Sequence, residues 1–182
     1  GDEALARKTA DELGDWVWKS RRRWYCRLPT VRQAIEAGRK IGKYPIILAD
    51  QADNTGGGAP GDSTEVLTTL LQLGLDDALV LYMVDPQVAK AAHKAGVGAR
   101  ISVSLGGRSD PIQGPPVQMN CEVVALSDGA FAFAGPMFAG LTGNMGPSAW
   151  LRQEGVSVVV VHTREQPFDP AFVRTLGIDC AA

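Results

Sequence analysis

The run Ala78-Leu79-Val80-Leu81-Tyr82-Met83-Val84 constrains this chain more than any other stretch, because seven apolar or aromatic residues stand in a row with no polar break. A run of that length, bounded by acidic residues and Pro86, reads as a strand buried on both faces. Pro86 to Ala95 then reads as a helix. Upstream, Ile46-Ile47-Leu48-Ala49 reads as a second buried strand, and Asp62 to about Leu73 as a helix with Val66, Leu67, Leu70 and Leu71 turned inward. Strand, helix, strand, helix in this order implies parallel strands joined by crossover helices.

After Gly96 the pattern changes. Ala99 to Leu105 alternates apolar with polar residues, Gln118 to Leu126 follows a Gly/Pro-rich connection, and Ser127-Asp128-Gly129 reads as a hairpin turn into Ala130 to Ala134. Residues 148 to 162 read as a further hairpin turning at Glu154-Gly155. A short last helix is expected from Ala171 to about Leu176, capped by Gly177. The fold class is therefore α+β with an α/β-like first half: a mixed β-sheet with flanking helices, strand-helix-strand-helix followed by antiparallel hairpins. Two amphipathic helices precede it, Asp2 to about Lys19 and Thr30 to about Ile41. Residues 1–43 thus form a helical lead-in and residues 44–182 one domain.

The balance of 18 basic against 20 acidic side chains, net charge -2, gives no electrostatic pull toward nucleic acid or an anionic membrane. No apolar run reaches the roughly 20 residues that span a bilayer, and a cytoplasmic location is expected. Cys26, Cys121 and Cys180 are expected to be reduced, buried or half-buried thiols. His93, expected on an exposed helix surface, and His162, at the end of an apolar run, belong to no zinc-site spacing, so no metal site and no catalytic residue is expected within this chain. Ser63 and Ser109 lack the surroundings of a serine nucleophile.

The stretch "DNTGGGAPGDST", Asp53 to Thr64, fits two phosphate-binding patterns by letter. Gly56, Gly58 and Gly61 match G-x-G-x-x-G, and Gly56 to Ser63 would match a P-loop if Asp62 were Lys. A carboxylate in place of that lysine replaces an attraction on the order of 4 kcal/mol by a comparable repulsion at ~4 Å and an effective dielectric of ~20. No nearby cation is evident to offset it. Pro60 removes an N–H from a dinucleotide cradle, although Asp85 stands at the offset of a ribose-binding acid. The bland reading is Gly56 to Gly58 at positive φ, a Pro60-Gly61 turn and a helix cap from Asp62 or Ser63. So many glycines beside three acids favour a close backbone approach to a ligand or an adjoining domain.

The segments "PIILADQADNTGGGAPGDST", "GGRSDPIQGPP", "VVALSDGAFAFAGPMFAGL" and "EQPFDPAFVRTLGID" resemble, in order, the C-terminal domain of the microcystinase C (MlrC) family of zinc metallopeptidases. Thr55 stands where that family usually has Pro, and His162 where a small hydroxyl residue is usual. The resemblance implies a further closing segment after Asp179. It also implies that zinc and its ligands belong to an N-terminal catalytic domain, this domain's partner, and that a zinc-bound water attacks a small peptide substrate there. This chain would supply the other cleft wall and be inactive when isolated. The expected substrate-binding residues are Asp53, Asn54, Gly56, Gly57, Gly58, Asp62 and Ser63: the N–H groups of Gly56 to Gly58 and Ser63, with Asn54, orient a carboxylate or carbonyl, and Asp53 takes an amine or a supporting hydrogen bond. Alternatives are a small-anion-binding or interaction module without catalysis and, less favoured, a nucleotide-binding enzyme. A homo-oligomer is compatible with all three.

Overall fold

The computed structural model describes residues 1–180 and divides into two units, Gly1–Lys43 and the remainder from Tyr44. The first unit holds α1 (Glu3–Ser20) and α2 (Val31–Ile41). Asp2 caps α1 by accepting the Leu5 N–H at 3.1 Å. Thr30 and Gln33 form a reciprocal capping box at the start of α2, which ends at Gly42 with φ 68°. Side chains on α1 pair locally, Glu3 with Arg7 and Asp15 with Lys19, contacts worth only a few tenths of a kcal/mol each.

The second unit contains α3 (Glu65–Leu73), β1 (Ala78–Val84), α4 (Pro86–Ala95), β2 (Arg100–Leu105), β3 (Val117–Ser127), β4 (Ala130–Ala132), β5 (Thr142–Asn144), β6 (Ser148–Gln153), β7 (Val156–Val161) and α5 (Ala171–Arg174). Five strands form one mixed sheet in the order β1-β7-β6-β3-β2, and β4 pairs with β5 in a separate small sheet. The α+β class holds, with helices beside a mixed sheet. Its interior differs from the sequence expectation in four respects. Ile46–Ala49 forms no strand. The single parallel pair among the described residues is β1 with β7. The connection through α4 joins the two outermost strands, so it is not a parallel crossover. Ser127-Asp128-Gly129 leads out of the large sheet into β4 rather than back along β3.

The hairpin of β6 and β7 forms in the expected register, Gln153 opposite Val156, with Glu154 at φ 53°. Alternation along β7 then divides the core. Val159 and Val161 join Phe131, Met145, Phe172, Val173, Leu176 and Ile178 under α5 and the small sheet. Val158 and Val160 point the other way, toward the face crossed by α4, which buries Val88, Ala89 and Ala92. Each large apolar side chain enclosed in this way contributes about 1.5–3 kcal/mol of transfer free energy. Cys121 is buried as expected, whereas Cys26 and Cys180 are exposed, against the expectation.

Candidate functional site: a clasp of carboxylates at the sheet edges

The glycine loop lies where the two edge strands end. The Val84 N–H, at the end of β1, donates to the Gly61 carbonyl at 2.7 Å, and the Gly107 N–H, just beyond β2, donates to the Asp62 carbonyl at 2.7 Å. Two residues further on, the Thr64 N–H donates to the Gln113 carbonyl, and its hydroxyl reaches the Gln113 and Pro115 carbonyls at 3.1 and 3.0 Å. β1 and β2 are opposite edges of the sheet, so the sheet curls until Gly61–Thr64 sews them together.

Side chains tighten the seam. Asp62, only 6% exposed, accepts the Arg108 and Ser109 N–H groups at 2.8 and 2.9 Å and the Ser109 hydroxyl at 2.5 Å. Asp85, 1% exposed, caps α4 through the Gln87 and Val88 N–H groups and accepts the Gly106 N–H and Arg108 Nε at 3.1 Å each. Neither acid has the role the sequence suggested. Asp62 does not cap α3, whose N-cap is Thr64, and Ser63 does not cap it either. Asp85 is committed to α4 and Arg108 rather than lying open to a ribose. Arg108 is the nearby cation that sequence reasoning missed, and the buried carboxylate of Asp85 already holds it. The second Gly/Pro-rich segment, "GGRSDPIQGPP", is the signal that could have pointed to it, since a segment with that composition is built to meet another loop closely.

Asp53 closes the loop on itself, its two oxygens accepting the Gly61 and Ser63 N–H groups at 2.8 and 2.7 Å. Burial pushes its carboxyl above the usual aspartate range, and this outweighs the two backbone hydrogen bonds; the neighbouring Asp62 and Asp50 charges act in the same upward direction. Asn54 Oδ1 accepts the Gly56 N–H at 3.0 Å, and Thr55–Gly57 make one turn of 3-10 helix. The far side is tied to the segment after β7: Thr55 Oγ1 donates to the Glu165 carbonyl at 3.3 Å, and the Glu165 N–H donates to the Tyr82 hydroxyl at 3.1 Å. Burial raises the Tyr82 phenol above its ordinary range, the hydrogen bonds from Glu165 and Thr55 opposing it.

The seven expected substrate-binding residues are therefore brought together in one braced loop, with a different distribution of donors. The Gly57 and Gly58 N–H groups donate to the Asn54 and Thr55 carbonyls, and those of Gly56 and Ser63 are taken by Asn54 and Asp53. All four amides of the expected cradle have internal acceptors, so an anion there would displace existing bonds. Positive φ is confined to Gly58 (96°) and Gly61 (79°) within the loop; Gly56 and Gly57 do not need it. Gly61 is required twice over, since a Cβ there would stand 2.6 Å from Thr55 Cγ2 and 2.9 Å from Val84 Cγ2. At Gly57, by contrast, the nearest atom to an added Cβ is 4.0 Å away.

Among the described residues no group of three or more His, Cys, Asp or Glu side chains converges. His93 is half-buried rather than exposed, its Nε2–H donating to the Ser148 carbonyl at 3.0 Å, and His162 is exposed at the end of β7. Asp53 accepts two N–H groups and Asp62 two N–H groups and a hydroxyl, so both carboxylates are bonded to the protein itself. Among the described residues no helix is long and apolar enough to cross a membrane.

The fold is shared with the crystal structure of a "putative metallopeptidase" from Mesorhizobium sp. BNC1. That chain superposes with a TM-score of 0.77 at 31% identity over 91% of this chain and 33% of its own. The fold is thus that of a peptidase-associated domain. Residues 48–182 match the MlrC C-terminus family, and the chain belongs to it. Microcystinase C of Sphingomonas sp is 27% identical over 147 residues, 81% of this chain and 28% of that protein. The chain spans about a third or less of the length of these two relatives.

Proposed function

We propose that this chain is the C-terminal, cleft-forming domain of a zinc-dependent peptide or amide hydrolase of the microcystinase C type, with residues 1–43 leading in from an N-terminal domain that holds the metal ligands. The observation that carries this reading is the family match across residues 48–182. Zinc supplies the activated water when bound to its own domain. This chain's contribution is a rigid wall at the seam of the sheet.

In this reading the loop from Asp53 to Ser63 faces the substrate, and its parts divide the work. Asp53 and Asp62 hold the loop rigid, and Gly57 and Gly58 leave exposed backbone bare so that a peptide can approach closely, whereas Gly56 is covered by the Gln166 side chain. With the amides satisfied internally, the groups left for a substrate carbonyl or carboxylate are the Asn54 carboxamide N–H₂ and the Ser63 hydroxyl. Preorganisation of this kind lowers the ordering cost at the moment of binding.

The test uses Gly57, where a side chain enters open space. Gly57→Phe in the full-length protein is expected to raise KM for a small peptide at least tenfold while the unfolding midpoint of this domain stays put. An unchanged KM would remove the loop from the cleft. Hydrolysis of the same peptide by the isolated chain would overturn the division of labour.

A further inference from the structure

Immediately before the clasp runs Tyr44-Pro45-Ile46-Ile47-Leu48-Ala49, six residues without a charge. Ile47 and Tyr44 are out in solvent at 83% and 73% exposure, while Ile46 is half-buried and Leu48 is 37% exposed. Among the described residues no backbone-to-backbone hydrogen bond involves positions 44–51. Ile46–Ala49 thus combines the composition of an interior strand with an unpaired ladder and carries no lysine or inward charge, with Pro45, which has no N–H to give, standing just before it. It is not loose at its downstream end. The Asp50 carboxylate accepts the Ala52 N–H at 2.9 Å, and Asp53 is fixed to Gly61 and Ser63.

We propose that Tyr44–Ala49 is a β-strand lent to a neighbouring sheet, and that its partner is an open strand edge in the portion of the full-length protein outside the matched region. The inference rests on the reading above that such a portion exists. Three observations favour that occupant. The strip's own sheet does not take it: the last N–H of edge strand β1, from Val84, is already given to Gly61, and Gly61 packs against Tyr82 and Val84. The relatives extend well beyond the match, since the aligned regions make up only 28% and 33% of them. And the strip leads directly into the clasp, so a sheet that captured it would be set against the Asp53–Ser63 loop in a fixed direction. Six residues span about 20 Å as a strand, enough for several main-chain hydrogen bonds of the strand-addition type. The partner edge must be apolar on the side that meets Ile47.

Hydrogen exchange decides the matter. The amides of Ile46 to Ala49 are expected to exchange at least 100-fold more slowly in the full-length protein than in this isolated chain, and Ile47→Lys in the full-length protein is expected to abolish the difference. Leu141→Lys, at another exposed apolar position, should leave it intact. Equally fast exchange in both proteins would overturn the proposal. So would protection that appears in the isolated chain as its concentration rises, which would make a second copy the occupant. Peptide hydrolysis by the unsubstituted full-length protein reports separately on the hydrolase reading, so the two can fail independently.

Discussion

Two neighbouring stretches of this chain invert the usual relation between hydropathy and burial. Tyr44–Ala49 is apolar and largely exposed, whereas Asp53–Thr64, with two acids, four glycines and four hydroxyl residues or amides, is pinned from three sides. The difference is one of partners. The loop's polar groups meet N–H groups and carbonyls from β1, β2 and the segment after β7, so their burial is compensated bond by bond. The apolar strip finds no backbone partner among the described residues, and only Ile46 and part of Leu48 are covered. Burial follows the partners available within the folded domain, and an apolar strand without a ladder stays outside.

The strongest test of this contrast is Asp62→Ala. Three donors, the Arg108 and Ser109 N–H groups and the Ser109 hydroxyl, lose their acceptor at once, while the Asp85 and Thr64 side-chain bonds remain. The expected loss is about 3 kcal/mol, read as a lower urea midpoint with the slope unchanged. A shift below about 0.5 kcal/mol would mean that the backbone bonds of Gly61 and Asp62 hold the edges without the carboxylate. Gly61→Ala comes next at about 2 kcal/mol, because φ is 79° and the new methyl meets Thr55 and Val84. Gly57→Ala, four residues earlier in open space, is its control and should cost well under 1 kcal/mol.

Much of this was legible in the residues. The α+β class, the strand Ala78–Val84, the hairpin turning at Glu154-Gly155 and the helices of the first unit follow from local periodicity and turn chemistry. The family segments were legible too, because four of them stand in order. What stayed hidden depends on distance along the chain. Asp62 lies 46 residues from Arg108, and Asp85 lies 23 residues from it; nothing local marks an aspartate as the acceptor for amides so far away. The same blindness turned Ile46–Ala49 into a buried strand, since hydropathy says what a segment would bury and not whether a neighbour is present. The glycine pattern misled for a related reason: G-x-G-x-x-G records freedom of the backbone, while the N–H groups it was expected to offer are spent inside the loop.

The pH dependence separates the clasp from a second carboxylate that binds backbone N–H groups. Asp169 accepts the Ala134, Gly135 and Ala171 N–H groups at 2.9, 2.5 and 2.8 Å. The Gly135 bond leads in holding its carboxyl below the usual value of 3.8. Asp53 accepts two, and burial carries it above 3.8. The signs follow by linkage. Between Asp169's folded value and 3.8 the native state binds fewer protons than the unfolded chain, so its stabilisation is complete above 3.8 and is lost as pH falls. From 3.8 up to Asp53's folded value the native state binds more protons, so that contribution is complete below 3.8 and is lost as pH rises. Unfolding free energies between about pH 2 and 6 should therefore show Asp169→Asn removing an upward slope below 3.8 and Asp53→Asn removing a downward slope above it. Slopes of the same sign would show that Asp53 is not desolvated in the clasp.

The smallest expected effect bears most directly on the comparison. Ile47→Lys places a charge in the middle of the most apolar stretch of the second unit's first residues, a change that would cost several kcal/mol at a position such as Leu67, which is fully buried. At 83% exposure, and with no backbone-to-backbone hydrogen bond at positions 44–51, the isolated chain should change by no more than about 0.5 kcal/mol, measured as the urea midpoint beside the Asp62→Ala variant. The ratio of the two effects is the quantity of interest: about 3 kcal/mol for a polar residue and nearly nothing for an apolar one. A loss above 1 kcal/mol from Ile47→Lys would mean that the strip is held by its own domain, and both the inversion and the lent strand would fall with it.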